Sequence, residues 1–306
     1  MLDTIAVIGA GLMGHGIALT FARSGRTVVV HDPDAATRDS LADRVRASMA
    51  ALGCDAGETE TALARITATA DLAEAVADAD LVMEAAPEKP ELKQAIFARI
   101  EAVARPDCLF CSNTSVIPIT TIMGGLARKG RALGTHWWNP PHMIPLVEVI
   151  RTEWTDDAAM DAVVALLADV GKRPVRVEKD VPGFIGNRLQ HALWREAISL
   201  VENGICDAEA VDMVIKESFG RRLAVLGPLE NADLVGTDLT LDIHRVILSD
   251  LESRPGPSPY LEALVADGRL GMKSGQGFRR WTKEQADAVR ARVATHLKRL
   301  DGILDP

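Results

Sequence analysis

The run "IAVIGAGLMGHGIALTFA", Ile5 to Ala22, sets the architecture. It opens as a β-rich strand pattern, turns through Gly9-x-Gly11-x-x-Gly14, and continues as an apolar helix. Gly9 suits a tight turn, Gly11 lets a pyrophosphate approach the backbone, and Gly14 lets helix and strand pack closely. A helix starting here aims free N–H groups at a phosphate. The run is apolar enough to be mistaken for a membrane span or a leader. Its glycines and His15 interrupt it, however, and the preceding "MLDT" carries an acid where a leader carries basic residues. We read it as strand, turn and helix.

Beyond the helix, "TVVVHD" (27–32) is a second strand ending in Asp32. A carboxylate there would bind the adenosine ribose hydroxyls and repel a 2′-phosphate, which favours NAD over NADP. A glycine-rich turn with a helix-capping Asp is the plainer alternative, and the strand on either side argues against it. Further strands are expected at 81–85, 108–112, 132–137, 146–150 and 174–177, with helical stretches at 12–24, 34–53, 90–104 and 156–170. Strand–helix alternation with continuous apolar strands predicts a parallel sheet covered on both faces. From about Val181 the texture changes. "FIGNRLQHALWREAISLVENG" has helical spacing up to Gly204, and the remainder of the chain reads almost entirely helical. The expectation is α/β: a Rossmann-type N-terminal domain over 1–183, followed by an all-helical domain over 184–306 that shapes the substrate site and dimerises.

Composition narrows the class. With 306 residues, 47 % hydrophobic and 25 % charged, the chain has enough apolar content for two cores. A formal charge of −9 argues against nucleic acid or an anionic membrane as partner. Four cysteines build no disulfide framework, so a reducing cytoplasm is expected.

The stretch "GTHWWNPPHMIPLVEVI" (134–150) carries the chemistry. His136 ends one strand and Glu148 lies in the next. A histidine titrates near neutral pH and suits a general base, and a carboxylate on its other ring nitrogen fixes the tautomer. A lone histidine at a strand end is more often structural, but a glutamate amid apolar residues is costly without a partner. On a strand, one of Trp137 and Trp138 would face the site and the other the core, and Asn139-Pro140-Pro141 would stiffen the turn. Ser115 in "SNTS" also fits a plain turn, and Asn187 a helix cap. Cys108 and Cys111 form C-x-x-C, but strand alternation would point them to opposite faces, and no second pair completes a zinc site; no metal is expected. His142 lies past two prolines, and His15 lines the glycine turn.

These motifs resemble the L-3-hydroxyacyl-CoA dehydrogenase family. "GAGLMGHGIA" (9–18) looks like its opening, "APEKPELKQAIF" (86–97) like its fourth-strand loop, and "SNTSVIPIT" (112–120) like its serine loop. "THWWNPP", "LVEVI", "DVPGFIGNR" (180–188), "GPLENADLVGTD" (227–238) and "GMKSGQGF" (271–278) come next in family order, so the resemblance spans nearly the whole chain. It implies hydride transfer between NAD and the 3-carbon of a short L-3-hydroxyacyl substrate, as in fatty-acid metabolism, by a homodimer. His136 would be the base, oriented by Glu148, with Ser115 and Asn187 near the substrate and Asn139 lining the same pocket. NAD would lie on Gly9, Ala10, Gly11, Leu12, Met13, Gly14 and Asp32, and meet Glu88, Lys93, Ser115, Asn139 and Lys273.

Two departures point toward a CoA-free acid. Acyl-CoA members carry smaller aromatic residues after the histidine. Trp-Trp-Asn-Pro-Pro is closer to the L-gulonate 3-dehydrogenase (lambda-crystallin) branch and to a pyridine-carboxylate dehydrogenase. Lysines that meet CoA phosphates are also missing: no lysine precedes Lys89, and although residues 34–60 hold Arg38, Arg44 and Arg46, "GCDAGETE" is acidic. In the other direction, Ser48 matches a family CoA contact, and "SPYLEALVADGRLGMKSGQGF" resembles the tail of bacterial 3-hydroxybutyryl-CoA dehydrogenases.

Overall fold

A computed structural model of the chain describes residues 2–304. Two compact units emerge, Met1–Arg188 and Leu189–Pro306.

The first unit alternates strands and helices in chain order: β1 (Thr4–Ile8), α1 (Gly14–Arg23), β2 (Thr27–His31), α2 (Ala35–Asp39), α3 (Leu41–Leu52), α4 (Ala56–Leu63), β3 (Ile66–Thr69), α5 (Leu72–Val76) and β4 (Leu81–Glu84). Then come α6 (Pro90–Val103), β5 (Leu109–Ser112), α7 (Ile119–Met123), β6 (Ala132–Trp137), β7 (Leu146–Arg151), α8 (Asp157–Asp169) and β8 (Arg173–Val177). The sheet order is β3-β2-β1-β4-β5-β6-β7-β8. Alternation along β1 shows how both faces are filled. Ile5 and Val7 join one apolar layer with Ile17, Phe21, Val45 and Met160; Ala6 and Ile8 join the other with Val82, Phe97, Phe110 and Ile122.

Two features depart from the sequence reading. The pairing of β6 with β7 is antiparallel, whereas every other pair is parallel. Residues 138–145 are too few for a crossover, so the chain must double back. The expected set also lacks β3: in "ITAT" the two central residues are exposed at the sheet edge, so no apolar run marks it.

Strand order reverses at β1, whose neighbours are β2 and β4. A crevice opens there at the carboxyl ends of the strands, the place where open α/β sheets bind ligands. Gly9, Asp32 and Ala85 come directly after the three strands that border it.

The second unit holds most of α9 (Gly186–Glu202), then α10 (Ala208–Glu217), α11 (Pro228–Val235), α12 (Thr237–Ile247), α13 (Pro259–Ala266) and α14 (Lys283–Leu304). Gly204, at φ +68°, ends α9 where the sequence places the stop. No residue of α10, α11 or α12 is fully buried. Leu229, Leu234 and Val246 are 80 %, 73 % and 78 % exposed.

Candidate active site

The glycine turn fits a dinucleotide by what its backbone leaves open. Gly9 takes φ +103°, and a Cβ there would stand 2.8 Å from the Ala85 carbonyl oxygen, so only glycine lets β1 turn against β4. A Cβ on Gly14 would meet the Gly9 carbonyl oxygen at 1.7 Å, whereas one on Gly11 would meet nothing within 4 Å. Strand and helix are thus packed as closely as glycine allows, with free space over Gly11 for a phosphate. No side chain caps α1, and the positive end of its dipole faces the turn, where an anion is favoured. Asp32 Oδ2 accepts from Ala10 N at 2.8 Å, which sets the carboxylate against the turn. Arg44 binds the Ala10 carbonyl from the other side at 2.8 Å.

Across the crevice, Glu88 organises the serine loop. Its Oε1 accepts from Thr114 Oγ1 at 2.5 Å, Ser115 N at 2.8 Å and Val116 N at 3.2 Å. Burial pushes this carboxyl upward, but the Thr114 hydroxyl, the Lys93 ammonium and the two amides outweigh it, and its pKa lies below the ordinary value. The Ser115 carbonyl accepts from Asn187 Nδ2 at 2.8 Å. Asp180 Oδ1 and Oδ2 accept from the Ile119 and Thr120 amides and so cap α7. Ser115 is therefore exposed on a loop whose backbone is tied down on both sides.

His136 and Glu148 stand directly opposite each other in the antiparallel β6–β7 pair. His136 Nδ1 lies 2.7 Å from Glu148 Oε2, with both side chains almost wholly buried. A carboxylate only accepts, so Nδ1 carries the hydrogen and the neutral ring keeps its lone pair on Nε2. Glu148 Oε1 accepts from the Ile185 and Gly186 amides at 2.9 and 3.0 Å, at the start of α9. Burial raises the pKa of this carboxyl, but the hydrogen bonds from His136, Gly186 and Ile185 more than offset it; the net shift is downward and Glu148 stays ionised. The tryptophans divide as expected. Trp137 is buried edge-on against Phe21, while the Trp138 ring packs 5.0 Å from the His136 ring and Phe184 lies 5.8 Å from it.

Other expected residues fare unevenly. Asn139 is exposed beyond β6, and Lys273 is an exposed residue of the second unit. Lys93, expected to contact the cofactor, lies inside the fold. It is enclosed at 0 % exposure, and its ammonium lies 2.7 Å from Glu84 Oε1 and 3.1 Å from the Ala86 carbonyl. A buried ammonium is held in place by such partners. Ser48 is likewise buried, with Oγ 3.2 Å from His15 Nε2. Cys108 and Cys111 are buried in opposite apolar layers, as alternation requires. Burial raises the Cys108 thiol to about 12 and Cys111 higher still. Sequence reasoning missed Asp180, Asn113 (whose Oδ1 accepts from Trp137 N at 2.9 Å) and Gly186, where a Cβ would lie 2.4 Å from Trp138 Cζ2. All three act through backbone geometry that a linear pattern does not display.

A Rossmann-type crevice beside a histidine–carboxylate pair defines an NAD-dependent dehydrogenase acting on a CH–OH group. The chain belongs to the 3-hydroxyacyl-CoA dehydrogenase family: that family's NAD binding domain matches residues 4–181 and its C-terminal domain residues 183–281. It is 36 % identical to the 5-formyl-3-hydroxy-2-methylpyridine 4-carboxylate 5-dehydrogenase of Mesorhizobium japonicum, over 100 % of this chain and 99 % of that one. It is 37 % identical to the 3-hydroxybutyryl-CoA dehydrogenase of Bradyrhizobium diazoefficiens, over 91 % of this chain and 95 % of that one. The crystal structure of a 5-formyl-3-hydroxy-2-methylpyridine 4-carboxylic acid 5-dehydrogenase, an NAD+-dependent dismutase, superposes with a TM-score of 0.92 at 34 % identity, covering 100 % of this chain and 99 % of that one.

Proposed function

We propose that this enzyme oxidises the hydroxyl of a small, CoA-free hydroxy acid, with His136 as general base. Bound NAD supplies the hydride acceptor. His136 Nε2 takes the hydroxyl proton while Glu148, on Nδ1, holds the tautomer and stabilises the imidazolium. Ser115 Oγ orients the substrate oxygen. Asn187 Nδ2 donates one of its two hydrogens to the Ser115 carbonyl, so Asn187 holds that loop and keeps a second N–H and its Oδ1 for substrate. Asn139 lines the same pocket, and NAD lies along Gly9 to Gly14, with Asp32 on the ribose and Glu88 and Lys273 as further contacts.

The observation that carries the CoA-free reading is the state of the three arginines of residues 34–60. Arg38 binds the Asp32 carbonyl; Arg44 binds the carbonyls of Ala10 and Thr37; Arg46 pairs with Glu60 and Asp43. Arg38 and Arg44 are thus turned to backbone carbonyls, the half-exposed Arg46 sits between two carboxylates that would compete with a CoA phosphate, and Ser48 faces His15 instead of solvent. Thioester oxidation is the second reading, favoured by the similarity to the Bradyrhizobium enzyme and by the tail sequence. The test is NADH absorbance with L-3-hydroxybutyryl-CoA, free 3-hydroxybutyrate, L-carnitine, L-gulonate and 5-hydroxymethyl-pyridine carboxylates compared side by side. Preference for any free acid is the expected result; preference for the thioester overturns it.

The same reading assigns 1–183 to the cofactor and 184–306 to substrate shape and dimerisation, and a second copy is the partner that would cover the apolar residues of α10–α12. Among the described residues no helix is long and apolar enough to cross a membrane. The unpaired Cys54, Cys108, Cys111 and Cys206 fit a reducing cytoplasm.

A further inference from the structure

Beneath the serine loop, Glu84 and Lys93 form a buried charged pair whose carboxylate has no part in the chemistry assigned above. Glu84, the last residue of β4, has no exposed surface and accepts hydrogen bonds from three neighbours. Oε1 accepts from Lys93 Nζ and from Ala86 N, each at 2.7 Å, and Oε2 accepts from Ser112 Oγ at 2.5 Å. Lys93 Nζ also lies 3.4 Å from Glu88 Oε2. Two carboxylates thus face one enclosed ammonium, and the nearer one holds it. Glu88 is left with its Oε1 turned to Thr114, Ser115 and Val116.

We propose that Glu84 is a positioning residue: by neutralising Lys93 it leaves Glu88 free to hold the Ser115 loop against the crevice. The physical reason is competition for a counter-charge. An enclosed ammonium that loses its carboxylate partner draws in the next one, and Glu88 is the carboxylate within reach. Moving toward Lys93 would pull its Oε1 from the Ser115 and Val116 amides and release the loop. Ser112 contributes by fixing Glu84 Oε2, and its Oγ also accepts from Thr114 N at 3.3 Å, joining the cluster to the same loop. The inference rests on the reading of Ser115 as a substrate-orienting residue.

The test compares two substitutions that separate charge from shape. Glu84→Gln keeps the shape and removes the charge, while Glu84→Asp keeps the charge and shortens the side chain. Amide hydrogen exchange at Ser115 and Val116 is measured without substrate, so it stands apart from the substrate assignment; kcat is measured on the best substrate of the panel above. Glu84→Gln should exchange at least tenfold faster at both amides and lose at least tenfold in kcat, with Glu84→Asp within threefold of the parent in both. A Gln variant within threefold of the parent in exchange or kcat overturns the proposal. So does an Asp variant as impaired as Gln, since that pattern belongs to packing. Should Glu84→Gln not fold, Ser112→Ala decides: exchange at Ser115 and Val116 at least threefold faster supports the strut, and anything less overturns it.

Discussion

At the scale of single residues, His136 divides binding from chemistry. His136→Gln should leave NAD affinity, measured by nicotinamide fluorescence, within about twofold while lowering kcat by roughly 10²–10⁴, the usual worth of a positioned base. An active variant would remove His136 from the reaction. Asp32→Ala should weaken NAD roughly tenfold or more, through loss of the ribose partner and of the bond to Ala10 N; unchanged affinity would refute that role. His142 sets a pH window for stability. Burial, then His15, Lys172 and Arg23, lowers its pKa from 6.5 to about 4. The unfolded chain therefore takes up this proton before the folded one does, and stability falls as pH drops from about 6.5 to about 4. Chemical denaturation should show His142→Gln losing less stability than the parent over that window, by up to about 3 kcal/mol.

At the scale of elements, the decisive pieces are short connections. His136 and Glu148 meet because β6 and β7 run antiparallel, and the sequence suggested the neighbourhood of these strands but not their direction. Motif spacing made the glycine turn, Asp32 and the histidine–glutamate pair legible, because each depends on residues close in sequence. The edge strand β3 was not legible, since an exposed "ITAT" has no apolar signature. Nor was Gly186, whose need for glycine comes from a tryptophan 48 positions earlier. Gly186→Ala should displace Trp138 and the start of α9, costing on the order of 1–3 kcal/mol by the usual scale of overpacking. Adding Trp138→Leu should restore the thermal midpoint; if the double variant melts no higher, the clash is not the cause.

At the scale of the whole molecule, the two units differ in how they satisfy their apolar residues. The first buries two continuous layers, one on each face of its sheet. The second leaves apolar side chains of α10, α11 and α12 uncovered, among them Met213, Leu229, Leu234 and Val246. Size-exclusion chromatography should give dimer mass, and Leu229→Asp with Val246→Asp should shift elution to the monomer. Elution of the parent at monomer mass would defeat the dimer.

Glu148 has two duties. The carboxylate that orients His136 also anchors the Gly186 amide that opens α9 and the Ile185 amide just before it. Thermodynamic reciprocity links them: whatever changes the charge on the imidazole changes how firmly that carboxylate is shared, and the order of the helix start must bias the proton affinity of the ring in return. The catalytic proton and the beginning of a helix are thereby two readings of one equilibrium, so exchange at the Ile185 and Gly186 amides becomes a gauge of the protonation state of the base.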